Sequence, residues 1–348
     1  MTTTAMSGAR AALGRPGAGA RTGGTLLICL ALVGLLGLLS LAIGSRGLTL
    51  SEAWTGLIGH DQTVNSIVVW RLRMPRTILA IVVGACLSVA GVVMQALTRN
   101  PLAEPGILGV NAGASLAVVL SISLLRISDV HGYLWFAFAG AALAAVLVQL
   151  MARRSADAGP ARLVLAGVAL GASLHAITGT ITMYDAKAFE SYRFWVVGSL
   201  EDRDASLLTW LWPFLAVGLL LALASGLTLN ALALGEEQAR ALGVSPARVR
   251  GLALISITLL CGASTAAVGP ISFVGLVVPQ VLRLALGADQ RRLLLVSLVA
   301  GPVLLLAADV VGRVLIRPDE MEAGIVTAFI GGPVLLAMVI RRSEAGAQ

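Results

Sequence analysis

Asn230-Ala231-Leu232-Ala233-Leu234-Gly235-Glu236-Glu237-Gln238-Ala239-Arg240-Ala241-Leu242-Gly243-Val244-Ser245-Pro246-Ala247-Arg248-Val249-Arg250 is a polar island between two apolar runs, each long enough to cross a bilayer. From Gly235 to Gly243 it reads as a two-turn helix. Glu236 and Glu237 lie at its start, where the helix dipole favours anions, and Gly243 is placed to end it. Glu236 and Arg240 stand one turn apart in the favourable order, and Ser245 before Pro246 signals the start of a second helix. Gly235, Ala239 and Leu242 recur at i, i+4 and i+7. That spacing predicts a face that is small, small and then leucine, able to enter a groove on a partner. The competing reading is a solvated loop between two spans.

Composition settles the class around this island. Of 348 residues, 57% are hydrophobic and 12% charged, too little polar surface to cover a soluble globule of this size. The chain reads as an all-α polytopic membrane protein. Its basic residues come in ones and twos at the edges of apolar runs, the pattern of loops at a membrane surface and not of a nucleic-acid site. Cys29, Cys86 and Cys261 lie inside apolar runs without close spacing, so neither a disulfide framework nor a metal site is implied, and no cofactor is expected.

Residues 1–24, rich in Gly, Ala, Thr and Arg, read as a disordered cytoplasmic tail before a membrane domain over 25–342, with the island 230–250 as a segment within it. Apolar runs near 25–44, 76–97, 106–125, 133–151, 161–182, 207–229, 251–269, 271–286, 293–312 and 323–340 predict about ten spans. Gly269-Pro270 and Pro279 leave 251–286 divisible in more than one way. With both termini cytoplasmic, the inner loops carry a clear excess of arginine, including Arg99, Arg153, Arg154, Arg248, Arg291 and Arg292, and the outer segments slightly more acid than base. This orientation satisfies the positive-inside bias. Gly84 with Ser88, Gly109 with Gly113 and Gly167 with Gly171 are small-xxx-small pairs that let membrane helices approach closely.

Candidate chemistry is sparse. The chain has one lysine, Lys187, and no glycine-rich loop precedes it, so the Gly-x4-Gly-Lys phosphate loop of an ATPase is absent and no enzyme is predicted. His60, His131 and His175 are not at metal-ligand spacing; His175, inside a span, reads first as a hydrogen-bonded packing residue and second as part of a pathway. Acids inside spans, which a proton- or sodium-coupled carrier needs, are nearly missing. Asp309 has Arg313 one turn later and reads as half of an ion pair.

Three stretches resemble the FecCD-type permeases, membrane subunits of ABC importers for iron-siderophores, haem and cobalamin. The first is Arg73-Met74-Pro75-Arg76 with Gln95-Ala96-Leu97-Thr98-Arg99-Asn100-Pro101-Leu102-Ala103-Glu104-Pro105-Gly106-Ile107-Leu108-Gly109. The second is the island, which looks like the family's coupling segment. The third runs from Gly269-Pro270-Ile271-Ser272-Phe273-Val274-Gly275 to Gly324-Ile325-Val326-Thr327-Ala328-Phe329-Ile330-Gly331. Gln280 stands where many members have histidine, and Glu322-Ala323 where they have proline-valine.

The resemblance implies a cell-membrane permease that pairs with a second permease chain, a copy or a relative. It also implies two ABC ATPase subunits on the inner face and an extracytoplasmic binding protein on the outer. It assigns ATPase coupling to Gly235, Glu236, Glu237, Ala239, Arg240, Leu242 and Gly243, and landing of the binding protein to Arg73, Arg76 and Arg313 at the outer boundary. Gln95, Asn100, Asn111 and His175 are candidates for the pathway or a gate. The expected cargo is a ferric siderophore, with haem and cobalamin as alternatives. An ion-gradient-coupled secondary transporter is the competing class, and should show paired intramembrane acids or broken helices in an internal repeat.

Overall fold

The computed structural model describes residues 18–44, 49–59, 63–127, 129–153, 160–201, 203, 206–316 and 319–346, and every regular element among them is helical. The fold is organised on α3, Val64–Thr98, whose most apolar stretch is 83% buried inside the protein. Before it come α1, Ala18–Ala42, and the short α2, Leu50–Ile58. After it come α4, Val110–Leu125, α5, Val130–Arg153, α6, Pro160–Tyr184, and α7, Ala186–Val196. Next are α8, Ser206–Ala224, α9, Gly226–Leu234, α10, Glu236–Ala241, and α11, Pro246–Val268. The chain closes with α12, Val274–Leu286, α13, Gln290–Leu315, and α14, Ala323–Gly346.

Among the described residues eight helices are long and apolar enough to cross a membrane, and α4 and α12 are apolar but shorter. These ten correspond to the ten apolar runs. The boundaries differ instructively. Helix α1 begins at Ala18, inside the stretch read as tail; residues 1–17, His60 and Arg154 lie outside the described residues. The run 207–229 is two helices, and 251–286 divides at Gly269 to Phe273.

Helix α3 starts at Val64, well before its apolar run. Its first part widens into a π-helical segment at Val68–Arg73. The cause is Pro75: it has no N–H for the carbonyl of Arg71, so the regular ladder is interrupted there and the helix relaxes into a wider turn.

Close helix contact is made through glycine. Helix α13 packs along α3 more extensively than any other pair, and a Cβ added at Gly84 would lie 2.8 Å from the carbonyl oxygen of Gly301. Ser88, one turn on, donates to the carbonyl of Ser297 at 2.6 Å. The predicted Gly84/Ser88 pair thus meets α13 directly, as small residues do where backbones touch. Helix α6 is the opposite case, with only 17% of its apolar stretch buried.

Helix α12, at 13 residues, is about 20 Å long against a hydrocarbon core of about 30 Å, so it begins inside the bundle. A Cβ on Gly91, in the middle of α3, would lie 1.9 Å from the Gly275 carbonyl oxygen, which fixes that depth. Irregular backbone at such a depth is tolerated only when protein surrounds it and pairs its polar groups.

Candidate functional site

Polar side chains collect in three places, and α13, about 39 Å long, connects two of them. At its start is the island. Gly235, with φ 128°, separates α9 from α10, and Gly243, with φ 76°, ends α10. The Val244 N–H reaches the Ala239 carbonyl and the Gly243 N–H that of Arg240, both at 2.9 Å, the paired bonds of a glycine-terminated helix. Ser245 precedes α11 as expected, although its hydroxyl makes no capping bond. Glu236 is in contact with Arg250 of α11 and lies 3.4 Å from Arg240.

The predicted face of Gly235, Ala239 and Leu242 is not a single exposed face. Ala239 is 0% exposed, whereas Leu242 is 64% exposed. The short helix lies across α9 and α11, so Ala239 is the point where it rests on its own chain. Glu237, Gln238, Arg240, Ala241 and Leu242 point outward. Helical spacing found the periodicity; only packing could say which side was already occupied.

Beneath α10, Asn230 of α9 donates to Asp289 Oδ1 at 2.9 Å, and its own carbonyl oxygen accepts from the Gln290 N–H at 2.8 Å. Asp289 also accepts from the Arg291 N–H at 3.0 Å and pairs with Arg292 at 3.3 Å. The mount of α10 is therefore pinned to the first turn of α13. Sequence reasoning missed this link because Asn230 and Asp289 are 59 positions apart.

At the far end of α13, Asp309 is fully buried and contacts Arg313 on its own helix and Arg76 of α3, the latter at 2.7 Å. Arg76 also pairs with Glu320 at 2.6 Å. Arg313 donates to the carbonyls of Ser40 and Ile43 at 2.7 and 3.0 Å, and Arg73 to that of Leu41 at 2.6 Å. These guanidiniums thus satisfy carbonyls left over at the end of α1, where the helix dipole favours a cation. Arg73, Arg76 and Arg313 are 5%, 8% and 1% exposed. A landing site built on charge calls for exposed arginines; the fold instead draws these inward, because Asp309, Glu320 and the α1 carbonyls together supply the counter-charge and acceptors that buried guanidiniums require.

The third place is the start of α12. Phe273, with φ 70°, directs its N–H at Glu104 Oε1, 2.5 Å away. Gln95 Nε2 donates to the carbonyls of Gly275 and Leu276, each at 3.3 Å, and Pro105 packs on Gly275. Of the four pathway candidates, Gln95 is thus an internal clasp. Asn111 accepts from Thr265 at 3.0 Å between α4 and α11, and Asn100 holds the Leu102 N–H at 3.0 Å in the loop after α3. His175 is exposed on α6 and does not pack within this chain. Glu104 is folded inward, and its sequence signal is its place in a Pro-x-x-Glu-Pro-Gly turn, which keeps it beside a short helix.

Among the described residues no group of three His, Cys, Asp or Glu could hold a metal ion.

Residues 30–341 match the FecCD transport family. The ferric enterobactin transport system permease protein of Escherichia coli is 43% identical over 311 residues, 89% of this chain and 92% of that protein. The hemin transport system permease protein of Yersinia pestis is 35% identical, covering 92% of this chain and 96% of that one. A solved metal-chelate type ABC transporter chain in an inward-facing conformation superposes with a TM-score of 0.80 at 28% identity, covering 91% of this chain and 98% of the other.

Proposed function

As a member of the FecCD transport family, this chain is a permease of a metal-chelate type ABC importer, and we propose that its cargo is a ferric siderophore brought inward across the membrane. The observation that carries the cargo is the likeness to the enterobactin permease over nine-tenths of both chains. The reading includes a second permease chain, two ATPase subunits on the α10 side and a binding protein on the Asp309 side, with both termini cytoplasmic.

The geometry supports a division of labour. ATP hydrolysis belongs to the partner subunits, whose closure moves α10. The outward side chains of α10 meet the ATPase, and Leu242 is the single large apolar group in the six-residue helix and its cap. Displacement passes through the buried Ala239 seat of α10 on α9 and α11, and from α9 through Asn230 and Asp289 into α13. Because α13 lies along α3 with the two backbones touching at Gly84 and Gly301, a shift at its start is felt along the central helix.

The arginines Arg73, Arg76 and Arg313 fix the outer end on which the binding protein lands, and act through shape and not as free charges. The cargo path runs along the exposed side of α6, where Ser173 and Thr180, two turns apart on one line, and His175 at the other edge of the exposed arc break a largely apolar surface. Polar groups there suit a channel shared with a second permease chain better than lipid.

The test is reconstitution of the chain with its ATPase and binding protein in proteoliposomes. ATP-dependent accumulation of a ferric siderophore is expected. Accumulation driven by a proton or sodium gradient without ATP would overturn the importer reading, and uptake of cobalamin or haem in place of the siderophore would overturn the cargo.

A further inference from the structure

An open cavity of about 630 Å3 lies where the ends of α4 and α6 meet the start of α7, lined by Ser123, Arg126, Thr180, Tyr184, Asp185 and Lys187. Asp185 is committed to the fold. Its Oδ1 accepts from the N–H groups of Lys187 and Ala188, both at 3.1 Å, and its Oδ2 accepts from the Ser123 hydroxyl at 2.8 Å. The Ala188 N–H foremost, then the Ser123 hydroxyl, hold this carboxyl below its ordinary range, so it stays charged as the cap of α7.

The two cations are less tightly committed. Arg126 stands 3.6 Å from Asp185, too far for a tight pair, and its side chain is 65% exposed. Lys187 is exposed and forms no ion pair among the described residues. Tyr184 adds a ring that is 86% exposed at the same mouth.

Like Arg99 at the end of α3, Arg126 ends α4 in a left-handed conformation, with φ 60°, that glycine adopts more readily. Thr180 belongs both to this cavity and to the exposed side of α6, so the hollow opens onto that side.

We propose that this cavity is an outer receiving site for an anionic metal chelate, with Arg126 and Lys187 meeting its catecholate or carboxylate groups and the Tyr184 ring lying against its aromatic or apolar framework. The proposal deepens the importer reading and rests on it for the direction of the cavity. Electrostatic attraction there raises the local concentration of an anionic cargo released from the binding protein and disfavours its return. The same chemistry in an anionic lipid headgroup would fit the cations, and the test separates the two sources.

Lys187 is the only lysine in the chain, which makes it its own reporter. The assembled transporter in zwitterionic nanodiscs, without binding protein, is treated with an amine-acylating reagent, and modification at Lys187 is followed by mass spectrometry. A ferric tris-catecholate, which is anionic, is expected to slow acylation, a neutral ferric trihydroxamate to leave it unchanged, and high salt to abolish the protection. Equal effects of the two chelates overturn the site. Protection by added phosphatidylglycerol with none by the catecholate assigns the cavity to a headgroup and likewise overturns it.

In parallel, Arg126→Gly suits the left-handed backbone and is expected to keep or raise the melting temperature. It should lower the ratio of anionic to neutral chelate uptake about two- to five-fold, the range of one partly exposed charge contact. An unchanged ratio overturns the proposal. A native assembly that accumulates no chelate with ATP refutes the importer reading itself, whereas the labelling result needs no transport and judges the cavity alone.

Discussion

At the Asp309 end Asp309 and Arg313 are fully buried among α1, α3 and α13, with Arg76 beside them and their partners arranged around them; at the α10 end Glu236, Arg240 and Arg250 meet their partners at the surface. The same residue types therefore do different work. Buried charges hold three helices at a fixed separation because losing any partner strands the rest without water. Exposed pairs are nearly interchangeable with solvent, so α10 can be seated and still present its outward side to another protein.

The largest effect should come from breaking the buried set. Asp309→Ala leaves Arg76 and Arg313 without their shared carboxylate and is expected to cost roughly 3–5 kcal/mol, read as a large fall in melting temperature of the nanodisc-embedded chain. A variant as stable as the native chain would erase the distinction between the two ends.

Next is Ala239→Glu, which forces a larger, charged side chain under α10. A loss of roughly 1–3 kcal/mol confined to that seat is expected, with faster proteolysis between Gly235 and Ser245 and loss of transport-stimulated ATPase while the spans stay inserted. Global unfolding would show that α10 is part of the core and not a mounted attachment.

Leu242→Ala touches only the outward side. Stability should stay within about 0.5 kcal/mol, and coupling of ATP hydrolysis to uptake should fall several-fold. Full coupling in this variant would move the ATPase contact elsewhere on the helix. The smallest effect belongs to Glu236→Gln, about 0.2–1 kcal/mol, shrinking further at high salt because the pairs it breaks are partly exposed. A salt-independent loss would mean that the Glu236 pairs are buried in the assembled transporter.

The sequence read alone established a helical membrane protein with ten apolar runs and a short helix between two of them, closed by Gly243. Those features follow from hydrophobic run length and glycine conformational preference, which are properties of adjacent residues. It also placed Asp309 with Arg313, neighbours one helical turn apart. Tertiary structure alone decided that Ala239 faces inward, that Arg76 completes the Asp309 pair from 233 positions away, that Glu104 turns in to hold Phe273, and that Asn230 fastens α9 to α13. Each depends on which helix lies against which. An arginine bordering an apolar run looks alike whether it reaches headgroups or a carboxylate within the bundle, and the choice is made by the partner that packing brings to it.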